Sequence, residues 1–600
     1  MQYNLSPSAI GRRLWPLAGL VLATPALAQN VNWLEFVEDN TRMISDPSVG
    51  LNDSEEKDYA WADLDQDGWT DLVCVRKEPF TNPGRRRNVL FMNEGGVLVD
   101  RSAEYASFSD VVGDQGFLTP TNDRDVAIID VNGDGWLDVV TSTTLSPGQP
   151  KYISHPRVYI NLGMVGGVWQ GLYYEEARTP DWGTYPNMCG LGVGDVTGDG
   201  FPELYFSHYQ QQALVDLNDR LLINDGTGYF TDESSLRMTD AMRGSSFGTA
   251  ATIADINGDG FNDVLTVSGL GSTNGNSRVA ACYNNPNNEG FFNLLQEPYV
   301  GAPYHSVPGD LNQDGMLDLI VSDDGADRYL LNQGNDVFGR PIWSAAYTYG
   351  GSDLGFASNN LIRDLDEDGW PEAIFADVDV DIPGCSRRFQ IMHNRGGTIG
   401  GYVTLREETG SGSYGALGLP QLTATHDFAI FDLDNDGDLD MVVGSCTGTR
   451  IFLSKLDDFG TLYCDPAPIN STLDYGKISA SGTHLVANND FGLVAQDLPL
   501  NQFGYFLVGS AQGFVFQPGG SQGILCLGGG IGRMNQPSQI GFSGTSGQIA
   551  VAVDLGAIPT PTTPAVTAPG DTWYFQAWYR DFVGGSSTSN FTNALEVTFQ

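Results

Sequence analysis

Asp63-Leu64-Asp65-Gln66-Asp67-Gly68-Trp69-Thr70-Asp71 is one of seven copies of a nine-residue pattern, D-x-[DNT]-x-D-G-x-x-[DE]. The others are DVNGDGWLD from Asp130, DVTGDGFPE from Asp195, DINGDGFND from Asp255, DLNQDGMLD from Asp310, DLDEDGWPE from Asp364 and DLDNDGDLD from Asp432. Successive copies lie 67, 65, 60, 55, 54 and 68 residues apart, a period typical of propellers and solenoids. Each copy is bracketed by short apolar, β-branched stretches, such as Asp125-Val126-Ala127-Ile128-Ile129 before and Asp263-Val264-Leu265-Thr266-Val267 after. Such stretches read as buried strands, so the nonapeptide is the turn of a β-hairpin. A third stretch follows (Val89–Asn93, Val158–Asn161, Leu221–Asn224, Tyr329–Asn332), then often a fourth such as Tyr229–Asp232. Four strands per unit make a propeller blade, and seven motifs make seven blades. The stretch Phe36-Val37-Glu38-Asp39-Asn40-Thr41 resembles a fourth strand, so the N-terminal strand is expected to complete blade seven and remove its exposed edge.

Oxygen-bearing side chains at positions 1, 3, 5 and 9 of one short loop would repel one another unless a cation lay among them. Hard oxygen ligands converging on one point suit Ca²⁺, and Gly at position 6 permits the sharp turn. The predicted ligands are Asp63, Asp65, Asp67 and Asp71 in loop 1, and Asp130, Asn132, Asp134 and Asp138 in loop 2. Loop 3 offers Asp195, Thr197, Asp199 and Glu203, and loop 4 offers Asp255, Asn257, Asp259 and Asp263. Loops 5, 6 and 7 offer Asp310, Asn312, Asp314 and Asp318; Asp364, Asp366, Asp368 and Glu372; and Asp432, Asp434, Asp436 and Asp440. Position 7 would give its backbone carbonyl: Trp69, Trp136, Phe201, Phe261, Met316, Trp370 and Asp438. Position 9 could bind through both oxygens. Loops 1, 6 and 7 have Asp at position 3 and are expected to bind most tightly. Position 2 is always aliphatic and should face the core. Asp, Asn and Gly also make good turns without a metal, but turn chemistry does not call for an acid at position 9 in every copy. Mg²⁺ and Zn²⁺ suit this donor set less well. Up to seven structural Ca²⁺ ions are expected.

These repeats resemble the FG-GAP (VCBS) repeats of the integrin α-chain seven-bladed propeller, over most of residues 30 to 463. That resemblance implies an extracellular protein that binds or adheres to a ligand. A minority of the family resembles polysaccharide lyases or carries a hydrolase domain.

The rest of the chain sets the context. Residues 1–28 carry Arg12 and Arg13, an apolar run and Ala26-Leu27-Ala28, the pattern of a signal peptide, which leaves 29–463 for the propeller. A secreted or cell-surface location follows, with no membrane span expected. A net charge of −44 argues against nucleic acid as a partner, because phosphate neutralisation needs clustered bases. The expected partner is an extracellular protein or glycan, met by a monomer. Seven cysteines leave at least one unpaired within the chain, and Cys464 with Cys526 is the favoured pair. Residues 464–600 lose the repeat and the acidity. Strand-like stretches there, including Trp573 to Tyr579, predict an all-β ending, a small β-sandwich with an extended loop over Pro559 to Pro569. This segment resembles a C-terminal module of exported bacterial repeat proteins. Trp573 and Trp578 could form a sugar platform but fit a core better.

No H-E-x-x-H motif is present. The one ring of candidates lies five residues before each loop: Asp58, Asp125, Gly190, Ala250, His305, Asn359 and Asp427. With His426, the polar members Asp58, Asp125, His305, Asn359 and Asp427 could form a ligand or acid–base site at the channel mouth, as in a lyase-like carbohydrate-active enzyme. Hydrated channel lining is the plainer reading.

Overall fold

The computed structural model describes residues 34, 36–79, 84–183, 186–209, 218–271, 275–349, 357–366, 369–377, 389–399, 402–407, 419, 422, 425–454, 460–464, 467–472, 475–482, 484, 486, 489, 491–544, 547–583 and 586–599. The expected signal peptide, Asp368 and Cys385 lie outside these residues.

Seven antiparallel sheets follow one another along the chain, and each begins with a strand that ends where an acidic loop starts. These innermost strands are Glu56–Ala62, Asp123–Ile129, Met188–Gly194, Gly248–Ala254, Pro303–Gly309, Ala357–Arg363 and Thr425–Phe431. Each packs against the next, and Thr425–Phe431 packs back against Glu56–Ala62, so the ring closes with seven blades. In the seventh blade the outermost strand is Phe36–Glu38, antiparallel to Gly448–Ser454 with Phe36 opposite Ser454. The first two blades gain a short fifth strand each, Met43–Ile44 and Phe108–Ser109, laid parallel on the outer edge.

The core is divided into seven apolar clusters, one at each junction between blades. Loop position 2 supplies a fully buried residue to each of them: Leu64, Val131, Val196, Ile256, Leu311, Leu365 and Leu433. Burying one such side chain stabilises by about 1.5–3 kcal/mol. The loop turn and the blade junction are thus built by the same nine residues.

A second interlock is polar. The third strand ends in Asn in the first four blades and carries Asn394 within it in the sixth, and that side chain crosses to the preceding blade. Asn161 Nδ2 donates to the carbonyls of Leu64 (2.8 Å) and Leu137 (3.0 Å). Its Oδ1 accepts from Gly163 N (3.0 Å) and Trp169 Nε1 (2.8 Å). Asn93, Asn224, Asn284 and Asn394 reach Leu433, Val131, Val196 and Leu311 in the same way, each at 2.8 Å. Replacing Asn161 by Leu would strand several buried polar groups at once. Asn161→Leu is therefore expected to cost roughly 2–4 kcal/mol of stability in urea unfolding with calcium present. A loss below about 0.5 kcal/mol would show that the interlock is dispensable.

After the last blade the described residues form three further sheets, the smallest a hairpin of Ala511–Phe516 and Ile524–Gly528. Thr461–Tyr463 is already the edge strand of a six-stranded sheet with Ser586–Thr598, Thr572–Val583, Phe503–Gly509, Gly532–Met534 and Gly541–Phe542. That sheet starts three residues ahead of the boundary expected at 464. A three-stranded sheet (Lys477–Gly482, Phe491–Gln496, Ile549–Val553) supplies the other face, and Phe491, Leu493, Phe575, Tyr579 and Val597 meet in the core between them. Trp573 packs on this core and Trp578 lies against Tyr505, both partly buried. Cys464 and Cys526 form a disulfide, Cys446 is also disulfide-bonded, and Cys74, Cys189 and Cys282 are free and buried. Among the described residues no helix is long and apolar enough to cross a membrane.

Candidate metal loops and the channel wall

All seven loops share one hydrogen-bond plan. The position 1 carboxylate accepts from the glycine N–H at position 6, at 2.8–3.0 Å in every copy. The position 5 carboxylate accepts from the N–H at position 7 in the six loops whose position 5 is described, at 2.9–3.2 Å. Position 6 is a glycine with φ between 81° and 104°, a region that L side chains avoid. Position 4 is left-handed too in the six loops where it is described, which the sequence pattern left unread: Gln66, Gln313 and Asn435 adopt φ of 58°, 57° and 56°.

Position 9 opens the second strand and is fully or almost fully buried in every blade. One oxygen accepts from the N–H at position 2, as Asp71 Oδ2 does from Leu64 (3.0 Å). The other accepts from the end of the third strand, as Asp71 Oδ1 does from Asn93 N (2.8 Å) and Asp440 Oδ1 from Ser454 N (2.7 Å). This carboxylate ties three backbone segments together. Burial lifts Asp71 and Asp263 to about 8, and Asp138, Glu203, Asp318 and Asp440 to about 7.

Ligand-type oxygens converge in the three loops that carry Asp at position 3. In Asp63/Asp65/Asp71, Asp364/Asp366/Glu372 and Asp432/Asp434/Asp440, one oxygen from each residue lies within 4.8 Å of the others. Burial and neighbouring Asp67 raise Asp65 to about 6. Asp434 Oδ1 is buried without a hydrogen-bond partner, while its Oδ2 receives Arg42 Nη2 at 3.3 Å. An oxygen buried and unbonded amid like charges is what a cation would satisfy, so these donors fit Ca²⁺. Where position 3 is Asn, its amide leans on position 5: Asn132 on Asp134 (3.0 Å), Asn257 on Asp259 (3.1 Å) and Asn312 on Asp314 (3.0 Å). Thr197 Oγ1 is buried without a hydrogen-bond partner. His393, which sequence reasoning did not place, brings Nε2 to 3.6 Å from Asp366 Oδ2.

The channel candidates divide. Asp58, Asp125, His305, Asn359 and Asp427 line one cavity of about 150 Å³. His426 does not line it. It sits in a bulge between Thr425 and Asp427, with its ring near Lys57, Glu56, Lys77 and Arg124. His305 Nδ1 meets Asn360 Oδ1 at 2.5 Å, and burial holds this imidazole down to about 4, so it is neutral at pH 7. Gly190 and Ala250 bring no functional group to the wall.

A seven-bladed propeller with an acidic, cation-compatible turn in each blade is the class that fold and loops define. The family model described as FG-GAP-like repeat matches residues 63–141, 195–266 and 310–375. Those three stretches are FG-GAP-like repeats. Integrin alpha-6 of Gallus gallus is 34% identical over 88 residues, which cover 13% of this chain and 7% of the integrin. Among solved structures, an Agrocybe aegerita lectin that recognises non-reducing terminal N-acetylglucosamine aligns at 16% identity with a TM-score of 0.38, covering 59% of this chain and 80% of the lectin. An ancestral GH74 enzyme aligns at 10% identity with a TM-score of 0.30, covering 90% and 82%.

Proposed function

We propose that this chain is an exported, calcium-loaded β-propeller that binds a protein or glycan ligand outside the cell as a monomer. The observation that carries it is the convergence of carboxylate oxygens in loops 1, 6 and 7 on a hydrogen-bond plan repeated in all seven loops. The ligands are the side chains at positions 1, 3, 5 and 9 and the backbone carbonyls of Trp69, Trp136, Phe201, Phe261, Met316, Trp370 and Asp438. Calcium is structural here: it cancels repulsion within each turn and fixes the hairpin that feeds a blade junction. The integrin likeness favours a protein ligand and an extracellular setting, with residues 1–28 as the export signal.

Native mass spectrometry of the mature chain, titrated with Ca²⁺, tests the metal reading. Up to seven ions are expected, with the Asp-rich loops 1, 6 and 7 filling first. No bound ion at millimolar Ca²⁺ would sink the proposal. A protein and glycan array probed with and without EGTA then tests whether ligand capture depends on the loaded ring.

A further inference from the structure

We infer that Asp58, Asp125 and Asp427 form a proton-sharing clasp on the channel wall, which holds blades 7, 1 and 2 together and weakens as the pH rises. The three carboxyls come from consecutive innermost strands and line one cavity of about 150 Å³, with Asp58 in the middle. Carboxylates gathered there repel one another while all are ionised. A shared proton relieves that repulsion.

The remaining bonds show what the clasp holds. Asp427 Oδ2 accepts from Tyr59 N at 2.7 Å, which joins blade 7 to blade 1. Asp125 Oδ2 accepts from Leu191 N at 2.7 Å, which joins blade 2 to blade 3. Asn359 Nδ2 donates to Asp58 Oδ1 at 2.8 Å, from blade 6. The junction of blades 7 and 1 is where the ring closes, and the N-terminal strand that seals blade 7 is three residues long. A clasp at that junction therefore bears on closure of the whole ring.

The charged groups on the surrounding strands make their hydrogen bonds elsewhere, with Arg124 near enough to Asp58 to attract it. Arg124 and Lys77 bond Glu56, at 2.7 and 2.6 Å. Lys57 donates to the carbonyls of Asp53, Glu55 and Ser445, and Arg76 pairs with Asp53. Asp123 receives Asn88 and Thr143, and Asp71 and Asp440 are tied to their loops. Burial keeps His305 and His426 neutral, and the Cys74 thiol is pushed up to about 12. The cavity beside the clasp gives water access to its protons.

Burial raises all three carboxyls, with Asp125 at about 6 and Asp58 well above the usual range. Folded values above unfolded ones mean that the contribution is complete in acid and lost as pH rises through the folded values. Asp58→Asn mimics the protonated form, since its amide can donate where the shared proton sat. In saturating calcium, melting of Asp58→Asn and wild type should coincide near pH 5.5, and the variant should melt several degrees higher near pH 8.5. Asp125→Asn should show the same widening gap. Parallel melting profiles, or variants that fail to fold at pH 8.5, would overturn the inference. Native mass spectrometry of the same variants should return the wild-type calcium count, so failure of the clasp is distinguishable from failure of the metal loops.

Discussion

In excess EGTA the chain is expected to melt on the order of 15 °C lower than in millimolar calcium. Each site filled at a hundredfold excess over its Kd adds about 2.7 kcal/mol, so three loops alone contribute roughly 8 kcal/mol. Each kcal/mol moves the melting point of a large domain by about 2 °C. The effect is large because of where the loops sit. Position 2 of every loop is a fully buried blade-junction residue, and position 9 joins three backbone segments. A turn that splays under its own charge therefore opens a core. The pH dependence of the metal-free protein gives a second check. Its position 9 carboxyls, lifted by burial to about 7 or 8, are protonated in the folded state at pH 5.5 and largely ionised in the unfolded chain. Raised folded values give stability that is complete in acid and lost as pH rises through about 8. In EGTA the protein should melt higher near pH 5.5 than near pH 8.5. In calcium that acid advantage should disappear, because protons compete with the ion. Scanning calorimetry reads both, and identical curves with and without EGTA would exclude metal from the loops.

The blade count and the inward direction of position 2 were legible because both rest on periodicity. A nonapeptide that recurs every 54–68 residues with an aliphatic second position admits few folds. What stayed hidden depends on backbone irregularity. At six of the seven innermost strands the register shifts near the residue five before the loop, as between Asp123 and Asp125 or between Thr425 and Asp427. Asp427 lines the channel cavity and His426 does not, as neighbours on a strand alternate sides. The third-strand asparagines were visible in Val89–Asn93 and its counterparts, yet read only as strand ends. Their recurrence was the signal, and a side chain that crosses to another blade has no local signature. The left-handed position 4 could have been read from Gly133, Gly198 and Gly258, which occupy it in loops 2 to 4.

Gly190→Ala is expected to destabilise the ring strongly. Its innermost strand reads Met188-Cys189-Gly190-Leu191-Gly192-Val193-Gly194, with small residues facing the neighbouring blade. A Cβ on Gly190 would lie 2.4 Å from Ala250 Cα and 2.6 Å from its N and C. Those are main-chain atoms, so no rotamer change relieves the clash, and two innermost strands must separate instead. Separation would strain the contact of Cys189 Sγ with the Thr249 carbonyl, which spans blades 3 and 4. Overpacking ordinarily costs about 1–3 kcal/mol, and with rigid backbone on both sides the loss should reach ~3 kcal/mol or more. Gly113→Ala is the matched control. Gly113 has φ of 96° with nothing within 4 Å of an added Cβ, so only the backbone penalty of about 1–2 kcal/mol applies. Urea unfolding in calcium should therefore rank Gly190→Ala well below Gly113→Ala in stability. Equal losses would mean that the two innermost strands are not pressed together and that the ring tolerates wider spacing at that junction.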